Sequence, residues 1–173
     1  TKKALWALLL VLVMIVAYIA LVFRHVSRPL SSWKYGIVAI IALVHDVAIP
    51  IGLFVFLGKF YQVEISALFV SALLTILGFS VHDTIVVFDR IRENLQKRRG
   101  GSFEETINIS IHETVARSIN TSLTLLLVLL TLFFFGGEST KYFSLALIVG
   151  TVMGVYSSIF IASPLLATWH QWS

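Results

Sequence analysis

Residues 4–23 run for 20 positions without a charged side chain, and four further apolar stretches follow at about 35–57, 65–88, 118–135 and 142–169. A helix that crosses the hydrocarbon layer needs about 20 mostly apolar residues. Only helices and closed barrels satisfy every backbone polar group inside lipid. The pattern therefore predicts an all-α, polytopic membrane helix bundle of about five spans, forming a single transmembrane domain over 1–173. Composition agrees: 58% of residues are hydrophobic, 13% are charged and mean hydropathy is +0.93. A soluble domain carries roughly a quarter charged residues, so these spans need the bilayer as solvent. The first run is too long for the apolar core of a signal peptide and lacks a small-residue cleavage site, which favours a true span. The absence of cysteine excludes disulfides and thiolate metal sites.

The net charge of +4 does not point to nucleic acid, because the basic residues lie in short connections between apolar runs. Arg24, Arg28, Lys34, Arg90, Arg92, Lys97, Arg98, Arg99 and Arg117 fall on one side, and Lys2, Lys3, Lys59 and Lys141 on the other. The positive-inside rule places the first set in the cytoplasm, with residue 1 outside and residue 173 inside. An outward start predicts that an earlier helix and an external domain belong to a longer protein, of which this chain is a fragment. The aromatic residues Trp6, Phe60, Tyr61 and Tyr142 then mark the outer interface, and Trp33, Tyr35, Trp169 and Trp172 the inner one.

The polar segment 89–117 is expected to form a loop and an interfacial helix that leads into the fourth span. Gly100 and Gly101 interrupt the chain, and Ser102 with Glu105 fits a capping box. Phe103, Ile107, Ile111, Val115 and Ile119 recur every four residues as one apolar stripe. The cluster Lys97, Arg98, Arg99 is expected to face lipid headgroups.

Two spans contain an acid, and both carry the tripeptide Val-His-Asp, ending at Asp46 and Asp83. A carboxylate within a bilayer costs about 2.5–3.5 kcal/mol even on lenient scales and persists where it faces protein or water. Asp46 lies 12 residues beyond Lys34, about 18 Å along a helix, and so near mid-bilayer. Asp83 lies seven residues before Arg90, about 10 Å away, which suits proton exchange with a cytoplasmic vestibule. Ser80 and Thr84 lie within one turn of Asp83 and can hold water. Pro50 has no N–H for the Asp46 carbonyl, a local weakness that can serve as a hinge or water site. Asp46 itself reads equally as a structural contact or a functional group, whereas for Asp83 a proton relay is the stronger reading.

His45 and His82 adjoin these acids, but neighbouring helical side chains diverge by about 100°. No helix presents two ligands at i, i+3 or i, i+4 spacing. The histidines thus read as hydrogen-bonded core residues, and neither a metal nor another cofactor is expected. Arg117, Asn120, Thr121 and Thr124 form a polar face entering the fourth span. Arg117 is either an anchor that snorkels to headgroups or a permanent counter-charge for a membrane carboxylate. Ala146, Gly150, Gly154, Ser158 and Ala162 repeat every four residues in the fifth span, a small-residue stripe for close helix packing.

The stretch from Gly78 through Asp83 and Arg90 to Asn94 resembles the signature of the SecF family of protein-export membrane subunits. The neighbours agree: residues 42–46, 114–122, 135–137 and 143–145, and the small-residue stripe as far as Ser163. The resemblance implies half of a transmembrane domain of the resistance–nodulation–division superfamily, covering its second to sixth helices in a bacterial plasma membrane. It implies coupling of the proton gradient to export by the Sec pathway, with no bond of the cargo made or broken. The implied partners are SecD (separate or fused), the SecYEG translocon, the unfolded exported chain and membrane lipids, with YajC as a further candidate. It also implies proton transfer at Asp83, with Arg117 at the place of an associated arginine. Three alternatives stay open: a proton-coupled exporter of lipids or small molecules, a subunit that only stabilises the translocon, and, more distantly, a membrane metalloprotease.

Overall fold

The structure is a computed structural model that describes residues 32–64 and 66–171, with scattered positions between 6 and 21. The expected first span and the basic residues at 24–31 lie largely outside the described residues. Four apolar helical stretches long enough to cross a membrane follow in order. Helix α1 is Ser32–Tyr61, α2 is Ala67–Gln96, α3 is Phe103–Phe135 and α4 is Glu138–Ser157. A π-helical turn, Ser158–Ala162, then joins α4 to α5, Ser163–Gln171. All described regular structure is helical, as an apolar chain in lipid requires.

The segment expected as an interfacial helix and the fourth span are one continuous helix, α3. No glycine or proline falls between Phe103 and Phe135, so nothing interrupts the hydrogen-bond ladder. Its start is capped as the sequence indicates. Ser102 Oγ accepts from the Glu105 N–H at 3.1 Å, and Glu105 Oε2 accepts from the Gly101 N–H at 2.6 Å. Gly100 precedes this cap with φ +94°, a left-handed conformation suited to glycine.

Helix α4 packs against α1, α2 and α3 and is the hub of the bundle. The five small residues of α4 and the π-helical turn are the reason. Ala146, Gly150, Gly154, Ser158 and Ala162 are all buried. A methyl group on Gly150 would overlap the Ile76 side chain of α2, so the two helices meet closely there. Near the 97–102 loop, fully buried Tyr35 and Phe88 pack edge to face at 5.4 Å within an apolar cluster completed by Ile91, Ala162 and Leu166. Phe103 and Ile107, the first residues of the α3 stripe, join this cluster. At the far end Phe54 and Phe69 stack at 4.2 Å. A polar seam runs between these two apolar regions.

The start of α1 and the end of α5 lie at one end of the bundle, where the Trp33 and Trp169 rings meet at 5.6 Å and Lys34 Nζ sits 5.9 Å from the Trp169 ring. Asp46 is fourteen residues into α1, and Ser157 lies fourteen residues before the end of α5. Equal helical rise brings the two to one depth.

Candidate functional site

Asp46 is fully enclosed, and both of its carboxyl oxygens have hydrogen-bond partners. Oδ1 faces His45 Nδ1 at 3.0 Å. Oδ2 accepts from Ser157 Oγ at 2.6 Å and from the Ser80 hydroxyl. Three helices therefore converge on this one group. Gly154 lies beside it: a methyl there would sit in ordinary contact, 3.5 Å from Ser80 and 3.9 Å from Asp46 Oδ2. Pro50, also buried, stands four residues on and offers no N–H to the Asp46 carbonyl.

Adjacent helical side chains need not share a face, and here the His45 ring does bond Asp46. An imidazole is long enough to reach around the helix when the carboxylate bends toward it. Its side chain stays 30% exposed, and the ring stacks on Tyr156 of α4 at 6.2 Å.

Asp83 is half-buried one turn beyond Ser80 on α2 and accepts a hydrogen bond from Ser118 Oγ of α3 at 3.1 Å. The next residue, Thr84, is buried and bonds Ser158 at 3.2 Å. Ser158 Oγ in turn donates to the Gly154 carbonyl at 2.8 Å, so Thr84 is the donor in the first of these bonds. Ser80, Asp83 and Thr84 thus read three different helices from one face of α2. His82 is exposed.

A cleft of about 240 Å³ opens between α2 and α3 one turn from Asp83. Its charged lining is Asp89, Arg90, Glu93, Glu113 and Arg117. Arg117 is exposed and forms no ion pair with Asp83 or any other described residue. Instead Ser118, its neighbour, takes the place beside Asp83. Glu113 is the hub of the cleft. It accepts from Arg90 Nε at 2.7 Å, Arg99 Nη1 at 2.7 Å and Asn94 Nδ2 at 2.8 Å. Arg90 also pairs with Glu93. This clamp, which the sequence reading missed, joins the end of α2 and its loop to α3. Among the described residues, no three His, Cys, Asp or Glu side chains gather as metal ligands would.

The sequence model of the protein export membrane protein SecD/SecF, C-terminal family matches residues 1–172. The chain belongs to the SecD/SecF family. The protein translocase subunit SecF of Thermobaculum terrenum is 59% identical over 157 residues, which are 91% of this chain and 49% of that protein. Its counterpart from Synechocystis is 43% identical over 171 residues, 99% of this chain and 52% of that one. The chain spans about half the length of the curated relatives it matches. A crystal structure of SecDF from Thermus thermophilus, described as a translocon-associated membrane protein, superposes with a TM-score of 0.87 at 42% identity. That match covers 98% of this chain and 22% of the larger one. The fold class expected from the apolar runs is therefore the observed one: a multi-pass, all-helical membrane bundle of the SecDF type.

Within this SecD/SecF bundle the polar residues predicted from sequence fall into two groups. Asp46, Ser80, Thr84 and Ser158 lie in the interior seam with Asp83 at its edge. Arg117, Asn120, Thr121 and Thr124 remain on an exposed face of α3. Ser157 and Ser118 join the seam without having been singled out, because a lone serine in an apolar helix carries no distinctive spacing.

Proposed function

We propose that the chain is the membrane part of a SecF-like subunit that couples proton movement to protein translocation through the Sec pathway. The observation that carries this reading is the position of Asp83. It is a half-buried carboxylate inside a membrane helix, one turn from a charged cleft and held by a single hydroxyl. Such a group can gain and lose a proton without dismantling a network. Protonation removes its charge and so changes which helix arrangement is favoured.

In this reading the 97–102 loop and the cleft face the cytoplasm of a bacterial plasma membrane, following the excess of Lys and Arg there. Asp83 exchanges protons with that side through the cleft. The exposed row Arg117, Asn120, Thr121 and Thr124 is polar on a helix that otherwise meets lipid. It is suited to be covered by a second bundle, and SecD is the partner that the SecDF relatives suggest. Arg117 then acts as a fixed positive charge at that joint, approaching Asp83 in one arrangement and leaving it in another. Helix motion would pass to an external domain and to the SecYEG channel, moving the exported chain without altering its bonds.

The test is proton flux and gradient-driven export in vesicles that hold the full-length subunit with its SecD partner, comparing wild type with Asp83→Asn. Both fall, with assembly intact, if Asp83 carries the proton. If both persist, Asp83 is structural and the subunit serves only to stabilise the translocon.

A further inference from the structure

The seam contains a second carboxylate that the Asp83 reading does not use. Three hydrogen-bond partners surround Asp46, and every one can act as a donor. The site can therefore satisfy the charged form by hydrogen bonds, although it lies at mid-depth in a membrane bundle. One partner, His45, is titratable and reaches the surface. When neutral and protonated on Nδ1, it leaves the pair with one negative charge. A proton added at its outer nitrogen, Nε2, makes an imidazolium–carboxylate pair with no net charge. Transfer of the Nδ1 proton to Asp46 Oδ1 then gives a neutral imidazole and a neutral acid. One proton enters, one moves inward, and the charge balances at each step. Neutrality is what a low-dielectric interior favours.

Ser157 shows what this proton can switch. Its hydroxyl has one hydrogen and two acceptors within reach, Asp46 Oδ2 at 2.6 Å and the Gly154 carbonyl at 3.1 Å. The charged carboxylate is the stronger acceptor. Once Asp46 is neutral that preference fades, and the Gly154 carbonyl competes. Ser158 already donates to the same carbonyl, and Thr84 donates to Ser158. A change at Asp46 is thereby passed through Ser157, the Gly154 carbonyl and Ser158 to Thr84, which adjoins Asp83. Ser157 is also the last residue of α4 before the π-helical turn, a kind of helix irregularity common at functional sites.

We propose that His45 and Asp46 form a second proton-binding site, whose occupancy decides whether Ser157 pins the end of α4 to α1 and α2. The ionisable groups that face it are His45 on α1, Asp83 one turn along α2 from Ser80, and Tyr156 of α4 against the His45 ring. No charged side chain of α3 pairs with Asp46. The link to export rests on the proton-coupled reading above, whereas proton binding at Asp46 is read independently of it.

Infrared difference spectra between acid and alkaline buffer would be recorded on the full-length subunit assembled with SecD in lipid. Wild type should show a protonated-carboxyl band that Asp46→Asn loses and Asp83→Asn keeps. His45→Gln should move the midpoint of that band by about one pH unit. Spin labels on cysteines placed at exposed Val44 and Phe160 report the α1 to π-turn distance, on a chain stretch with no cysteine of its own. This distance should respond to pH in wild type and stay fixed in Ser157→Ala, which retains the band. The proposal is overturned if Asp46→Asn leaves every carboxyl band in place. It is equally overturned if His45→Gln does not move the band, a test that stands even where Asp46→Asn fails to assemble. A pH response of the distance that persists in Ser157→Ala refutes the switch. Failure of the Asp83 reading looks different: proton flux survives Asp83→Asn whatever the Asp46 band does.

Discussion

Ser118 on α3 donates its hydroxyl to Asp83 Oδ1 on α2 at 3.1 Å, and this is the one side-chain hydrogen bond that Asp83 makes among the described residues. The acid is therefore steadied without being locked. Ser118→Ala should leave assembly intact, lower stability by about 1 kcal/mol, and change proton flux several-fold. Ser118→Thr keeps the hydroxyl and should stay near wild type. Flux in vesicles together with thermal unfolding of the purified complex separates the two effects. Equal flux in all three proteins would show that Ser118 does not position the acid.

The two glycines of the small-residue stripe should differ sharply. A methyl at Gly150 meets Ile76 atoms at impossible range, whereas at Gly154 its nearest neighbours lie at an ordinary 3.5 Å. Ile76 is β-branched, so it cannot swing aside freely. Gly150→Ala should destabilise the bundle by about 1–3 kcal/mol, and Gly154→Ala by far less. Combining Gly150→Ala with Ile76→Ala should be less harmful than the sum of the single changes, because each relieves the other's misfit. Melting curves of wild type, the three single variants and the double variant decide the matter, and an additive result would mean that Gly150 and Ile76 do not touch.

The stripe shows what the sequence makes legible. Spacing of four, with small side chains, announces a packing face, and all five positions are buried. The apolar runs likewise announce the helices, and Ser102 with Glu105 announces the start of α3. What spacing does not reveal is which polar atoms meet across helices. Ser157 and Ser158 are adjacent, yet one serves Asp46 and the other Thr84, a choice made by the register of α4 against α1 and α2. Arg117 illustrates the converse: as the charged residue it attracts notice beside Asp83, but the helix turns its neighbour Ser118 toward the acid. The π-helical turn is equally hidden, since Ser163-Pro164 signals an interruption without stating its form.

The clamp around Glu113 gives a prediction about the loop. Glu113 binds Arg90 and Arg99 at once, so it ties residues on both sides of the turn to α3. Glu113→Gln removes the charge and keeps the size. Trypsin should then cut the Lys97–Arg99 stretch faster, by several-fold, without unfolding the bundle. Added salt should have the same effect on wild type, because exposed pairs are screened. Asn94→Asp should be more damaging than Glu113→Gln. It places a second negative charge at a fully buried position that now donates to Glu113 and to Ser110 at 2.9 Å.

The π-helical turn yields the last prediction, because its cause can be removed. Pro164 has no N–H to offer the turn before it, so the ladder of α4 cannot continue unchanged through 158–162. Ser163 adds a tie across this turn by donating its hydroxyl to the Ser158 carbonyl at 2.9 Å. Pro164→Ala restores a backbone donor and should let the α-helical pattern extend, slowing amide hydrogen exchange across 158–166. Ser163→Ala removes this tie and should lower stability by about 1 kcal/mol. The two substitutions act on the same turn in opposite directions. If the turn is a working joint, both should reduce gradient-driven export: Pro164→Ala by stiffening α4, and Ser163→Ala by letting its end drift from Asp46. If Pro164→Ala slows exchange yet leaves export at the wild-type rate, the π-helical turn is a packing adjustment and the moving joint lies elsewhere, with the weakness that Pro50 creates at Asp46 the next place to look.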